Sequence, residues 1–253
     1  MKNLRRFATI MLVVVLSVSL AFSTFAAFEN VADELNELGL FRGVGENEDG
    51  TPIYSLDRAP TRAEAIVMLV RFLGMEEEAL EAEIEHPFTD VPEWADPHVA
   101  LAFKYGFTLG TSETHFGSAS PCTAQAFTTF MLRALGYNET EDGGDIYAVA
   151  INMGKELKII DSQLASGVFL RDKMVVVAYL ALFAAPAEGE FDSLLAKLVE
   201  DGAVDADAAA AFLDKDPLYE LVEDPEPEEP EEGEEGEEGE DGEEEEEEEE
   251  EEE

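Results

Sequence analysis

The sequence predicts a mainly α-helical chain built from repeated helix–loop–helix units, and three observations carry that reading. First, Thr61, Arg71 and the pair Leu73-Gly74 return as Thr123, Arg133 and Leu135-Gly136, all displaced by about 62 residues, which marks a duplicated unit. Each copy is preceded by a Gly-x-x-x-Gly stretch, Gly39 to Gly43 in one and Gly106 to Gly110 in the other. Second, Thr61-Arg62-Ala63-Glu64 matches a capping box, in which Thr61 accepts from the Glu64 amide and Glu64 reaches back to the Thr61 amide. Third, Ile66, Leu69, Val70 and Leu73 recur at spacings of three and four, giving that helix one apolar face. A unit this small cannot bury such a face alone, so the copies pack on one another and leave grooves between them.

The elements follow in chain order. Residues 1–26 read as an export signal: Lys2, Arg5 and Arg6 precede an apolar run from Phe7 to Phe22, and Ser23 to Ala27 supply small residues for cleavage. That run, about 16 residues, is short of the roughly 20 needed to span a bilayer. Residues 27–84 form the first unit. Its loop carries Asp49-Gly50, a turn signal between short extended pieces. A calcium loop is disfavoured there, because Gly45 and Leu56 stand where the first and last ligands belong. Residues 85–140 form the second unit, with Trp94, Val99, Ala102 and Phe103 on its short helix and Thr123 as the cap of its long one. Residues 141–187 form a degenerate third, in which Lys158 and Ser162 take the two glycine positions and Phe169-Leu170-Arg171-Asp172 precedes an apolar run. Residues 188–219 read as a helical extension packed on the third unit. Residues 220–253, rich in Glu, Pro and Gly, cannot bury apolar surface and are expected to be a disordered acidic tail.

Charge and composition exclude several functions. The formal net charge is -45, and such a surface disfavours nucleic acid, which requires Lys and Arg to replace phosphate counterions. It disfavours an anionic bilayer as well, so no membrane partner is expected after signal cleavage. One cysteine, Cys122, leaves no internal disulfide and suits a packed residue ahead of a helix. His86, His98 and His115 lack metal-ligand spacing, and no Gly-x-Ser-x-Gly elbow occurs, so neither catalysis nor a cofactor nor a metal is expected. An alternative reading gives the activity to the Glu-rich tail, as a weak collector of calcium or cationic partners with the repeats as scaffold.

The segment Phe88-Thr89-Asp90-Val91-Pro92-Glu93-Trp94-Ala95, followed by Gly106-x-x-x-Gly110, Phe116 and Thr123, resembles the S-layer homology repeat. In the first unit, Thr61-Arg62-Ala63-Glu64 and Arg71-Phe72-Leu73-Gly74 carry the same resemblance. It implies three repeats in a pseudo-threefold helical bundle whose inter-repeat grooves bind bacterial cell-wall polysaccharide, often a polymer ending in a pyruvylated sugar. Carried over by position, Arg62 and Arg171 are the expected carboxylate binders and Trp94 the expected platform for a sugar face. Arg62 and Trp94 are expected to act as a pair. Gly43 and Gly110 would let the loop backbone approach the ligand, while Asp90 and Thr61 hold loop and helix start in place. Arg62, at the first helical position, is expected beside free backbone amides that favour an anion. The pattern is incomplete: Ala124 stands where Arg62 stood, the first unit lacks a tryptophan segment, and Tyr147 at best replaces the tryptophan in the third.

Overall fold

The structure, a computed structural model, describes residues 28–140 and 143–215. The expected signal at 1–26 and tail at 220–253 lie outside these residues. The order is α1 (residues 28–37), β1 (Gly45–Glu46), β2 (Pro52–Ile53), α2 (Arg62–Phe72), α3 (Glu76–Glu81), α4 (Asp96–Lys104), α5 (Ala124–Ala134), α6 (Ile146–Glu156), α7 (Ser162–Ala165), α8 (Arg171–Ala181), α9 (Leu194–Glu200) and α10 (Ala206–Leu213). The mainly helical class is as the sequence predicts. A short helix, a loop and a long helix recur three times, as α1 to α2, α4 to α5 and α6 to α8.

Local chemistry sets the boundaries. Thr61 Oγ1 accepts from the Glu64 amide at 3.2 Å, and Glu64 Oε2 accepts from the Thr61 amide at 2.8 Å, completing the capping box. Thr123 caps α5 through the Ala126 amide alone, since Ala126 replaces the glutamate. Leu170 precedes α8 with no side-chain cap. The strands β1 and β2 pair antiparallel about Asp49-Gly50, with Asp49 accepting from the Thr51 amide and hydroxyl. In the third unit Lys158 keeps the left-handed turn of Gly39 and Gly106, at φ 58° against 77° and 75°. A side chain in that region is strained by about 1 kcal/mol or more, so tertiary contacts override local preference there.

The long helices are more central than one apolar face would make them. Along α2, Ala63, Ala65 to Val70 and Phe72 are all buried, and along α8 every residue from Met174 to Ala181 is buried. A helix apolar on all sides belongs inside the core, which corrects the amphipathic expectation for α2. Helix α5 packs against both α2 and α8.

Loops join the units in a ring. The second unit's loop covers the start of α2, where the Arg62 and Ala63 amides donate to Ser120 O at 2.9 Å and Ser118 O at 3.2 Å. The first unit's loop covers the start of α8, where the Arg171 and Asp172 amides donate to Arg58 O at 3.0 Å and Leu56 O at 3.1 Å. At the start of α5, Phe169 of the third unit's loop packs on Phe127. Helices α9 and α10 close over α8, with Phe212 against Tyr179 and Phe183, and Lys215 Nζ reaches Glu37 Oε2 at 2.7 Å.

Candidate functional site: two arginine-lined grooves

Two grooves of about 340 Å³ each lie between units. The first is bounded by Phe41 to Val44 of the first loop, by Glu64, Val67, Met68 and Arg71 of α2, by Trp94, and by Arg171. The second is bounded by Thr108 to Thr111, by Ala126, Thr129, Phe130 and Arg133 of α5, by Asp145 and Tyr147, and by Arg62. The helix positions of the two sets differ by the same displacement of about 62 residues that defines the repeat. Each groove therefore takes its loop and long helix from one unit, its aromatic ring from the next, and its helix-start arginine from a third position around the ring.

This arrangement places Arg171, Trp94 and Gly43 together, and Arg62 and Gly110 together. It corrects the expected pairing of Arg62 with Trp94: those two line different grooves, and Arg62 has Tyr147 as its aromatic neighbour. Trp94 is 56% exposed and Tyr147 44% exposed, so both rings present a face to solvent. Gly43 and Gly110 have φ of +75° and +77°. A Cβ on Gly43 would lie 2.5 Å from Ile53 O, and one on Gly110 would collide with the Phe88 ring, so both are also required by the packing of their own loops.

Arg62 and Arg171 are 9% and 3% exposed. Their settings match. Arg62 Nε donates to Phe116 O at 3.0 Å, with its guanidinium 5.0 Å from the centres of the Phe116 and Phe130 rings. Arg171 Nε donates to Tyr54 O at 2.9 Å, with its guanidinium 5.6 Å from the Phe41 ring centre. Among the described residues neither forms a salt bridge. Burial pushes the pKa of both guanidinium groups down. For Arg171 it falls to about 10, with Arg58 adding to the shift and Glu64 opposing it. A buried cation without a salt-bridge partner is unfavourable, and an anion entering the groove would offset that cost.

The remaining groove arginines are already paired. Glu76 Oε1 accepts from Arg71 Nε at 2.6 Å and Glu76 Oε2 from Arg42 at 3.2 Å, while Asp145 accepts from Arg133 at 3.1 Å. Arg58 grips Glu64 with two bonds of 2.9 and 2.7 Å. All six arginines beyond Arg6 thus line a groove or bind a residue that lines one, and no lysine lines either groove. In so acidic a chain, that partition concentrates planar, fork-shaped donors where a carboxylate can be held bidentately.

The supporting residues act as positioning groups. Asp90 accepts from the Phe116, Gly117 and Ser118 amides at 2.7, 2.8 and 3.1 Å, fixing the carbonyl that holds Arg62. Burial raises the Asp90 pKa, yet these bonds outweigh it and hold the carboxyl below its ordinary range. Thr61 is spent on its cap. The backbone amides at the starts of α2 and α8 are also spent, on loop carbonyls, which corrects the expectation of free amides beside Arg62. That leaves side chains as the groove's donors. Sequence reasoning also passed over Arg42, Arg71 and Arg133 as groove residues, although the last two are themselves repeat markers. Cys122 is buried, its thiol pushed up to about 12 by burial, as a packed residue should be. Among the described residues no group of His, Cys, Asp and Glu is placed to hold a metal, and no helix is long and apolar enough to cross a membrane.

No protein-family model matches the chain. Part of it is 31% identical over 160 residues to a cell surface protein of Thermoanaerobacter kivui, covering 56% of this chain and 20% of the relative. A middle cell wall protein of Brevibacillus brevis is 31% identical over 120 residues, 47% of this chain and 11% of the relative. A surface layer protein of Brevibacillus choshinensis is 31% identical over 136 residues, 53% of this chain and 12% of the relative. The chain therefore matches only a fifth or less of the length of these bacterial surface proteins.

Proposed function

We propose that this chain is a non-catalytic bacterial surface protein that binds an acidic cell-wall polysaccharide, such as one bearing pyruvylated sugars, through the two grooves between its S-layer-homology-like repeats. One observation carries the reading: Arg62 and Arg171 are buried, lack any carboxylate partner among the described residues, and each share a groove with an exposed aromatic ring. The guanidinium receives the sugar carboxylate and the ring receives an apolar sugar face. The names of the relatives, all surface or wall proteins, support an extracellular, wall-attached location.

The test is co-sedimentation of the full chain with bacterial wall sacculi before and after chemical removal of their secondary polymer. Retention on intact sacculi and release from stripped ones is the expected result. Equal retention on both would place the affinity in peptidoglycan and overturn the proposal.

A further inference from the structure

The first residue of each long helix decides what fills the junction beside it. In α2 and α8 that residue is Arg62 and Arg171, whose guanidinium groups lie against aromatic rings. In α5 it is Ala124, and that junction is open, with a pocket of about 440 Å³. Thr123, Gln125, Ile151, Val168 and Phe169 line it, and no charged residue does.

Tyr147 lines both this pocket and the second groove, so one residue borders the two. Its backbone is held from both sides: its amide donates to Asp145 Oδ1 at 2.9 Å, and its carbonyl accepts from Gln125 Nε2 at 2.7 Å. Asp145 belongs to the groove and Gln125 to the pocket. The two cavities differ in charge: Arg62, Arg133 and Asp145 line the groove, and no charged residue lines the pocket.

We infer that the pocket beside Ala124 is a second subsite, for an uncharged sugar unit adjacent in the same glycan to the acidic unit held by Arg62. A polymer crossing Tyr147 would present its carboxylate to the guanidinium side and its neutral neighbour to the apolar side. The reverse order is disfavoured, because no cation lines the pocket to meet a carboxylate. Thr123 and Gln125 supply the polar edge that an uncharged sugar needs, and Val168 and Phe169 the apolar wall. The inference rests on the glycan reading and extends it from one sugar to two.

Two probes separate them: a hexosamine bearing a pyruvate ketal, and the disaccharide that joins it to one uncharged N-acetylhexosamine. Both are titrated calorimetrically into the full chain carrying Trp94→Ala, which silences the first groove. The disaccharide is expected to bind about tenfold more tightly than the monosaccharide. That advantage should fall below about twofold in Ala124→Met, which fills the pocket floor. It should fall likewise in Val168→Met, on an exposed rim where folding is not at risk. Monosaccharide affinity should stay unchanged in both. Equal affinity for the two probes, or an advantage that survives both substitutions, overturns the subsite while leaving the groove intact. No binding of either probe to the chain without substitutions overturns the groove reading and the subsite with it.

Discussion

Replacing Arg171 by methionine separates a binding residue from a structural one. Arg171 is 3% exposed and its pKa is pushed down to about 10, chiefly by burial. At about 1.36 kcal/mol per pH unit of displacement, holding that charge in the fold costs about 3 kcal/mol. The sign is that of a cation with a depressed folded pKa: the cost is present at every pH below about 10 and is relieved only as pH rises through that value. Methionine removes the cost and also removes the bond to Tyr54 O, worth about 1.5–3 kcal/mol, and the contact with Phe41, worth about 0.5–1 kcal/mol. The terms nearly cancel, so the net change in stability should lie within about 1 kcal/mol of zero, or about 2–4 °C in Tm. Binding to wall polymer should nevertheless fall at least about tenfold. Thermal denaturation and sacculus titration on the same preparation check both halves. A Tm lowered by more than about 8 °C, with affinity unchanged in the folded fraction, would show that Arg171 serves the fold and refute the reasoning.

Two further expectations concern the scaffold. Glu64 is held at about 2 by its hydrogen bonds from Arg58, against an ordinary 4.5, with burial opposing the shift and the Thr61 amide and the charges of Arg58 and Arg171 assisting. As a carboxyl with a depressed folded pKa, it contributes stability in full above about pH 4.5 and loses it as pH falls toward 2. The shift sets a ceiling near 3 kcal/mol, reduced to about 1–2 because Arg58 is partly solvated. Urea denaturation of Glu64→Gln should show a deficit of that size at pH 7 that closes by pH 2, and a constant deficit across that range would contradict it. Asp90→Ala leaves three loop amides without their acceptor and should cost about 2–3 kcal/mol. Because the Phe116 carbonyl then loses its support, binding in the second groove should weaken too, which site-specific NMR shifts at Tyr147 would report.

What was legible in the sequence was local. The capping box at Thr61 and Glu64, the turn at Asp49-Gly50 and the cap at Thr123 depend on residues a few positions apart, and the structure has them all. Arg62 and Arg171 were singled out through the family resemblance carried over by position, and each lies at a helix start beside a groove. Their aromatic partners were not. Arg171 is held by a carbonyl 117 residues earlier and shares its groove with Trp94 of another unit, a pairing fixed by the order of units around the ring. Glu76 joins Arg42 of the first loop to Arg71 of α2, a contact across 34 residues that no local pattern announces. Lys158 shows the same limit: a left-handed turn at a lysine follows from the unit around it.

The central claim is that Arg62 and Arg171, one in each groove, hold the chain to an acidic wall polymer. Retention on intact sacculi of Arg62→Met, Arg171→Met and the double variant, each confirmed folded by circular dichroism, tests it most directly. Two grooves on one body act together, so each single substitution should remove most of the avidity, on the order of a hundredfold, and the double should abolish retention. A folded double variant that sediments with sacculi as fully as the unsubstituted chain would contradict the account.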